Sequence, residues 1–265
     1  MTEFAKYQAI ASIHQFECFE GTFTQQVFPW HFHDTYTLIL VERGAVTYEF
    51  RQAKKTVSAG EILIINPFVS HLNYAATQSG WSYRVFFVPM RKKEIHSLCL
   101  YVPGSRYFCP EPFKNPALYA SLSRLHQQLT TFPEPALHQE IYSEITSLLA
   151  AYIPFQGELS PIDPRIQIAI AYIEQQVQTQ ITIAQLANVA NLSPFHFQRL
   201  FKEQTGLTAH AFLTMKRMET GKALLKSGQG ITSTAMETGF YDQSHFHHRF
   251  RKMYGLTPKQ FALPT

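Results

Sequence analysis

The sequence predicts an α+β protein of two domains. An N-terminal β-barrel carries a helical hairpin, and an all-α domain follows in which two helix-turn-helix motifs are joined by a long helix. Three observations carry this. Roughly the first 90 residues alternate with period two, while the chain from Asn115 onward repeats its apolar residues at helical spacing. A segment of the second half is also written twice. "HFQRLFKEQTGLT" at 196–208 returns as "HFHHRFRKMYGLT" at 245–257, with Arg251 answering Lys202. The expected limits are 1–153 for the barrel and hairpin, 154–164 for a linker and 165–265 for the helical domain.

In chain order, "TYTLILVERGAVTYEF" alternates on either side of an expected Arg43-Gly44 turn, with Tyr36, Leu38 and Leu40 on one face, then Val46, Tyr48 and Phe50. "KKTVSAGEILIINPFVSHLNY" adds a strand, a turn at Gly60 and an apolar strand broken at Pro67. "GWSYRVFFV" places Trp81, Tyr83 and Val85 on one face. Short half-buried strands at this spacing suggest a sandwich or barrel. Leu118, Leu122, Leu125 and Leu129 then mark one helix, and Ile141, Ile145, Leu148 and Tyr152 a second. Pro133 and Pro135 separate them, so an antiparallel hairpin is expected. Its stripes can cover the barrel, pair two copies of the chain, or do both.

The Pro-rich stretch "PFQGELSPIDP" reads as the linker. Asp163-Pro164 then gives an N-cap and a first-turn proline, and Thr182 with Gln185 has capping-box spacing. Ser193-Pro194 opens the first echoed helix, which stops at Gly206. Asp242 opens the second, which stops at Gly255, and "AHAFLTMKRMETGKALLKS" connects the two units. Short helix, tight turn and second helix with an outward basic face is the grammar of a helix-turn-helix.

Charge separates the halves. Residues 161–265 carry 11 Lys/Arg against 6 Asp/Glu, and residues 1–160 carry 12 against 13. A basic helical domain beside a near-neutral one suggests a polyanion-binding module attached to something else. No run of about 18 apolar residues is present, so no membrane span is expected. "MTEFAKYQAIASIHQF" lacks the pattern of a secretory signal, and Cys18, Cys99 and Cys109 form neither a disulfide framework nor metal spacing. The expected compartment is the cytoplasm.

Phe197, Leu200, Phe201, Phe246 and Phe250 sit at core spacing. The outward faces carry Ser193, Phe195, His196, Gln198, Arg199 and Lys202 in the first copy, and Gln243, Ser244, His245, His247, His248 and Arg251 in the second. Arg suits guanine edges, Gln suits adenine, and Ser and His serve bases or phosphates. These residues are the candidate contacts to double-stranded DNA. Lys202 and Arg251 also suit the negative ends of their helices.

With these residues in place, 165–262 resembles the DNA-binding domain of the AraC/XylS transcriptional regulators. The matching positions are Leu186-Ala187, Ser193, Phe197, Phe201-Lys202, Gly206, Arg217, Leu224-Leu225, Ile231, Ala235, Gly239-Phe240, Ser244, Phe246, Phe250-Arg251, Gly255 and Thr257-Pro258. Gly221, Thr234 and His248 depart from the usual Ala, Ile and Arg. A mid-helix glycine is expected to cost about 1 kcal/mol of helix stability. "HFHDTYTLILVERGAV", "AGEILIINPFVSH" and "GWSYRVFF" are similar to landmarks of the family's cupin-like effector domain. The resemblance implies a promoter-binding regulator, most often an activator, that works with RNA polymerase. It also implies a small-molecule effector inside the barrel and a homodimer through 116–152. It places Phe195, Gln198, Arg199, Gln243, Ser244, His247 and His248 toward bases.

The candidate effector-binding residues are His31, His33, Tyr36, Arg43, His71, Trp81 and Tyr83, with Glu17 as a further candidate from the N-terminal arm. His31, His33 and His71 admit three readings: polar lining of an organic-ligand pocket, structural hydrogen bonding at strand ends, or a metal site. Catalytic cupins add a Glu to such a set, and here Thr37 and Leu38 stand near its place. We therefore expect no cofactor, no metal and no enzyme. A regulator without a small-molecule effector and a metal-dependent cupin enzyme fused to a DNA-binding domain are the alternatives.

Overall fold

The computed structural model describes residues 3–89, 101–102, 110–152 and 160–262. Most of the expected linker, 154–159, lies outside them, as do Cys99 and Cys109. Contacts divide the chain into two compact units. The first comprises Met1–Val27, Phe32–Ile95 and Arg106–Glu158, and the main body of the second is Leu159–Thr265. The division counts Phe28–His31 with the second unit, but its strand is hydrogen-bonded into the sheet and is described there.

The first unit is a curled antiparallel sheet. Its strands are β1 (Phe4–Ala9), β2 (Glu17–Phe23), β3 (Val27–His31), β4 (Thr35–Phe50), β5 (Lys54–Ser58), β6 (Ile62–Ile65), β7 (His71–Ala75) and β8 (Trp81–Pro89). They run in the order β1-β2-β8-β4-β7-β3, and β5 and β6 also pair with β4. The expected Arg43-Gly44 turn does not form. Strand β4 continues for 16 residues through that point, and the chain instead makes a bulge between Val41 and Arg43 against β8. Gly44 has φ +67°, and a Cβ there would overlap the Gly80 carbonyl oxygen. The glycine thus permits close strand approach and not reversal.

The bulge changes which residues face which way. Before it, Leu38 and Leu40 join Cys18, Ile62, Phe86 and Val88 on the face covered by the hairpin, helices α1 (Pro116–Thr131) and α2 (Pro135–Tyr152). After it, Tyr48 and Phe50 stand on the opposite face, where both meet the His71 ring. The hairpin contributes Leu118, Leu122, Leu125, Leu129, Ile141, Ile145 and Leu149 to the covered face. In α2 the buried stripe runs through Leu149, and Leu148 is only partly buried. Each fully buried leucine or isoleucine contributes on the order of 1.5–3 kcal/mol, so the inner faces of the hairpin are committed to the sheet.

His126 of α1 is buried in this layer, and its Nε2 donates to the Phe19 carbonyl at 3.2 Å. Burial, reinforced by the Arg84 charge, brings its pKa down from 6.5 to about 4. The folded state therefore holds a neutral ring that the unfolded chain protonates. Stability from this source is intact above about pH 6.5 and is lost as pH falls toward 4, by up to ~3 kcal/mol at 1.36 kcal/mol per unit. Trp81 lies in this unit, so the fluorescence of a Trp30→Phe protein reports it. Urea midpoints followed in this way are expected to fall between pH 7 and 4.5, and His126→Gln to flatten the fall. A midpoint independent of pH in that range with His126 in place would contradict the assignment.

The second unit is helical: α3 (Pro164–Gln175), α4 (Ile183–Val189), α5 (Pro194–Thr205), α6 (Ala209–Lys226), α7 (Ile231–Glu237), α8 (Gln243–Tyr254) and α9 (Pro258–Ala262). The local signals act as their chemistry requires. Asp163 caps α3, Thr182 and Gln185 form a reciprocal capping box on α4, Ser193 caps α5 and Asp242 caps α8. Gly206 and Gly255 end α5 and α8 in the left-handed conformation. Helix α6 packs against elements of both pairs, α4–α5 before it and α7–α8 after it.

Candidate DNA interface and sensor site

The two echoed helices bury their shared letters. Phe197 and Phe201 of α5, and Phe246 and Phe250 of α8, are fully buried. Phe201 meets Phe212 of α6 edge-on at 5.5 Å, and Phe246 meets Phe240 at 5.5 Å. The letters that differ lie mostly outward, together with the shared His196/His245 pair. Ser193, Phe195, Gln198, Arg199 and Lys202 are exposed on α5 and its cap. Gln243, Ser244, His245, His248 and Arg251 are exposed on α8, while His196 and His247 are half-buried.

Some of these side chains are already engaged. Ser193 Oγ accepts from the His196 amide. Gln243 Oε1 accepts from Thr232 Oγ1 at 2.7 Å. His245 stands edge-on to Phe240 at 5.1 Å and accepts from Arg249 Nε at 3.3 Å. That ring is therefore oriented from two sides. Tyr241, 92% exposed in the turn before α8, was not among the sequence candidates. It adjoins the exposed face of the second echoed helix, and in sequence it reads only as part of a turn.

The two helix-turn-helix units are locked by α6. Arg217 donates from Nε to the Val177 carbonyl at 3.0 Å and from Nη2 to the Thr179 carbonyl at 2.7 Å. Its guanidinium also lies 5.9 Å from the Phe240 ring centre. Gly239, at φ +72°, sits against the same 177–180 turn. Gly221 of α6 lies under the Phe246 ring, where a Cβ would come within 2.7 Å of Cε2. The glycine that weakens the helix makes room for a core aromatic of the second unit.

In the sheet, the face opposite the hairpin is aromatic. Trp81 and Tyr83 are buried and pack with Phe19 and Phe23 at centroid distances of 5.4–6.2 Å. Trp81 Nε1 is buried without a hydrogen-bond partner. Asn73 Nδ2 is also left without a well-aligned bond, although its amide lies toward the Tyr83 hydroxyl. An unsatisfied buried donor costs about 1–3 kcal/mol, so the Trp81 indole calls for an acceptor. The structure separates the other candidates. Tyr36 packs with the hairpin-facing cluster. Arg43 is exposed at the bulge, which carries it out of the buried interior. Glu17 is half-buried and pairs in register with Phe87.

His31, His33 and His71 do come together. One ring nitrogen from each lies within 4.8 Å of the others. His31 and His71 are buried, and His33 is half-buried with its ring 4.7 Å from that of Phe87. Nδ1 of His31 donates to the Pro29 carbonyl at 2.7 Å, and Nδ1 of His71 to the Val69 carbonyl at 2.8 Å. Burial lowers the His31 pKa and keeps that ring neutral. Among the described residues no carboxylate joins the group.

Residues 14–146 match the model of the AraC-like ligand binding domain, and residues 186–263 match that of a helix-turn-helix domain. A transcriptional regulator of Haemophilus influenzae is 36% identical over 256 residues, covering 84% of each chain. The chain belongs to the AraC family of transcriptional regulators. The transcriptional activator RhaS of Escherichia coli is 24% identical to this regulator over 252 residues, covering 91% of this chain and 89% of RhaS. Among solved structures, an apo single-residue variant of ToxT from Vibrio cholerae superposes with a TM-score of 0.60 at 12% identity. That match covers 94% of this chain and 97% of the ToxT chain, a likeness of fold. The regulator is thus a two-domain, DNA-binding protein with a curled antiparallel sheet in the part that matches the AraC-like ligand binding domain and a helical helix-turn-helix domain. Among the described residues no helix is long and apolar enough to cross a membrane.

Proposed function

We propose that this regulator is a cytoplasmic transcriptional activator that reads a long asymmetric promoter site with α5 and α8 and responds to a small organic molecule held by the sheet. It is a regulator and not a catalyst. One observation carries the DNA reading: two helices share their buried aromatics and, the His196/His245 pair apart, differ in their outward letters. That is the pattern of one scaffold presenting two different sequences of contacts. Joined by α6, the two helices can enter successive major grooves about 34 Å apart. Gln198 and Arg199 of α5, and Ser244, His247 and His248 of α8, are the base-facing residues in this reading. Lys202 and Arg251 contact phosphate.

Arg199→Ala is expected to relax base preference at one position of a site selected from random DNA, and to cost ~1–3 kcal/mol of affinity. An unchanged selected sequence would remove Arg199 from the set of base readers.

The unsatisfied Trp81 indole, on the face that also carries Tyr48 and Tyr83, supports an effector with an acceptor oxygen. ToxT has been crystallised with an unsaturated fatty acid bound, and the likeness of fold supports a ligand in the corresponding domain here. RNA polymerase is the partner an activator requires. A homodimer through 116–152 has to use the outer face of the hairpin, where Arg124 and Glu144 are paired at 3.5 Å, because the leucine stripes are committed to the sheet.

A further inference from the structure

We propose that His31, His33 and His71 bind one divalent transition-metal ion, of the zinc or cobalt class, through three imidazole nitrogens. Convergence is the first argument. Zn–N bonds of ~2.0–2.1 Å place two tetrahedral nitrogen ligands roughly 3.4 Å apart. The three ring nitrogens already lie within 4.8 Å of one another, so a small closing of the rings completes the set. The strand order explains the meeting. His71 opens β7, β3 is hydrogen-bonded to β7, and His31 ends β3 with His33 two residues on.

The second argument is the fixed tautomer. A carbonyl oxygen only accepts, so the bonds from His31 to Pro29 O and from His71 to Val69 O put the proton on Nδ1 in both rings. In a neutral ring this makes Nε2 the basic nitrogen. Histidine ligands of metals are held in this way by a backbone carbonyl on the other nitrogen. The same local arrangement, a bond to the carbonyl two residues earlier, occurs on both hydrogen-bonded strands. Histidines serving only as strand-end hydrogen bonders need no such convergence.

Donor chemistry selects the ion. Three neutral nitrogens with no carboxylate in the group disfavour magnesium and calcium and suit a borderline divalent metal. With three protein ligands the ion keeps a position for a water or for an oxygen of a small molecule. The site is independent of the DNA reading, and its test involves no DNA.

The test uses the full chain without an affinity tag, stripped with a chelator, dialysed and titrated with Co2+, with bound zinc measured separately by mass spectrometry. About one ion per chain and the visible absorption of a nitrogen-ligated, four- or five-coordinate Co2+ are expected. His33→Ala is the lead variant, because His33 is the least buried of the three. It should weaken Co2+ binding by at least tenfold with an unchanged circular-dichroism spectrum. His31→Ala and His71→Ala should do the same where they fold. His245→Ala/His248→Ala, which removes exposed histidines elsewhere, should leave the stoichiometry at one. Absence of stoichiometric metal in the wild-type chain would overturn the proposal. So would uptake unaffected by His33→Ala, or uptake lost in the His245/His248 variant. If organic compounds shift the melting temperature of a chain that takes up no metal, the triad lines an organic pocket and the sensor reading stands without the ion.

Discussion

Phe246→Ala is expected to destabilise the helical unit by about 3–5 kcal/mol, the range for removing a fully buried aromatic ring. That is a large part of the ~5–15 kcal/mol that holds a domain of this size. The ring is completely buried, packs between Phe240 and Phe250, and covers Gly221 of the connecting helix. The residues around it are held from several sides, so collapse into the space is limited and the upper end of the range applies. Trp81 lies in the other unit, so in a Trp30→Phe background two signals separate the effect. The helical circular-dichroism transition should move to lower denaturant, and the tryptophan transition should stay. Movement of both together would mean that the two units unfold as one. No movement of the helical transition would mean that Phe246 does not hold α8 to α6.

The same contact explains why one local reading of the sequence was incomplete. Gly221 costs helix propensity, as its position in the middle of α6 implies. What a single helix cannot show is that the second helix-turn-helix places an aromatic ring where an alanine Cβ would stand. The helical unit was otherwise legible because its signals are local. Thr182, Gln185, Ser193 and Asp242 satisfy backbone groups within three residues of themselves, and Gly206 and Gly255 stop helices by their own φ. The written echo then revealed the architecture, since two copies with the same buried letters must be two copies of one fold.

The sheet was legible as a sheet but not in its faces. Alternation locates strands. A bulge between Val41 and Arg43 shifts the parity of everything after it, and nothing in "LVERGAV" distinguishes a bulge from a turn. The consequence reaches the sensor candidates directly. Tyr36 precedes the bulge and goes to the hairpin face, Arg43 is at the bulge and exposed, and Trp81 and Tyr83 reach the aromatic face. His31 and His33 are two residues apart and legible as a pair. Their meeting with His71 depends on the hydrogen bonding of β3 to β7, a non-local fact that no spacing encodes.

Gly239→Val is expected to lower affinity for a full two-groove site by about 10²–10⁴-fold while leaving binding to DNA that engages α5 alone within a few-fold. The gain from linking two modest binding heads is of that order and disappears when geometry forbids both from engaging at once. Gly239 has φ +72°, where a non-glycine residue costs roughly 1–2 kcal/mol and a β-branched one more. A Cβ there would also lie 2.6 Å from the Gln178 carbonyl oxygen and 2.9 Å from Arg217 Nη2. Neither neighbour can yield easily. The carbonyl belongs to the turn before α4, and the guanidinium is held by the Val177 and Thr179 carbonyls. The strain is therefore relieved by moving the turn before α8, which rotates the second reading helix away from its setting relative to the first. Arg217→Ala should act in the same direction by releasing the same turn from the other side. The measurement is fluorescence anisotropy on a duplex selected by the wild-type protein, and on the same duplex with the α8 half scrambled. A folded Gly239→Val protein that binds the full duplex as tightly as wild type would show that the 177–180 turn does not set the spacing of the two heads.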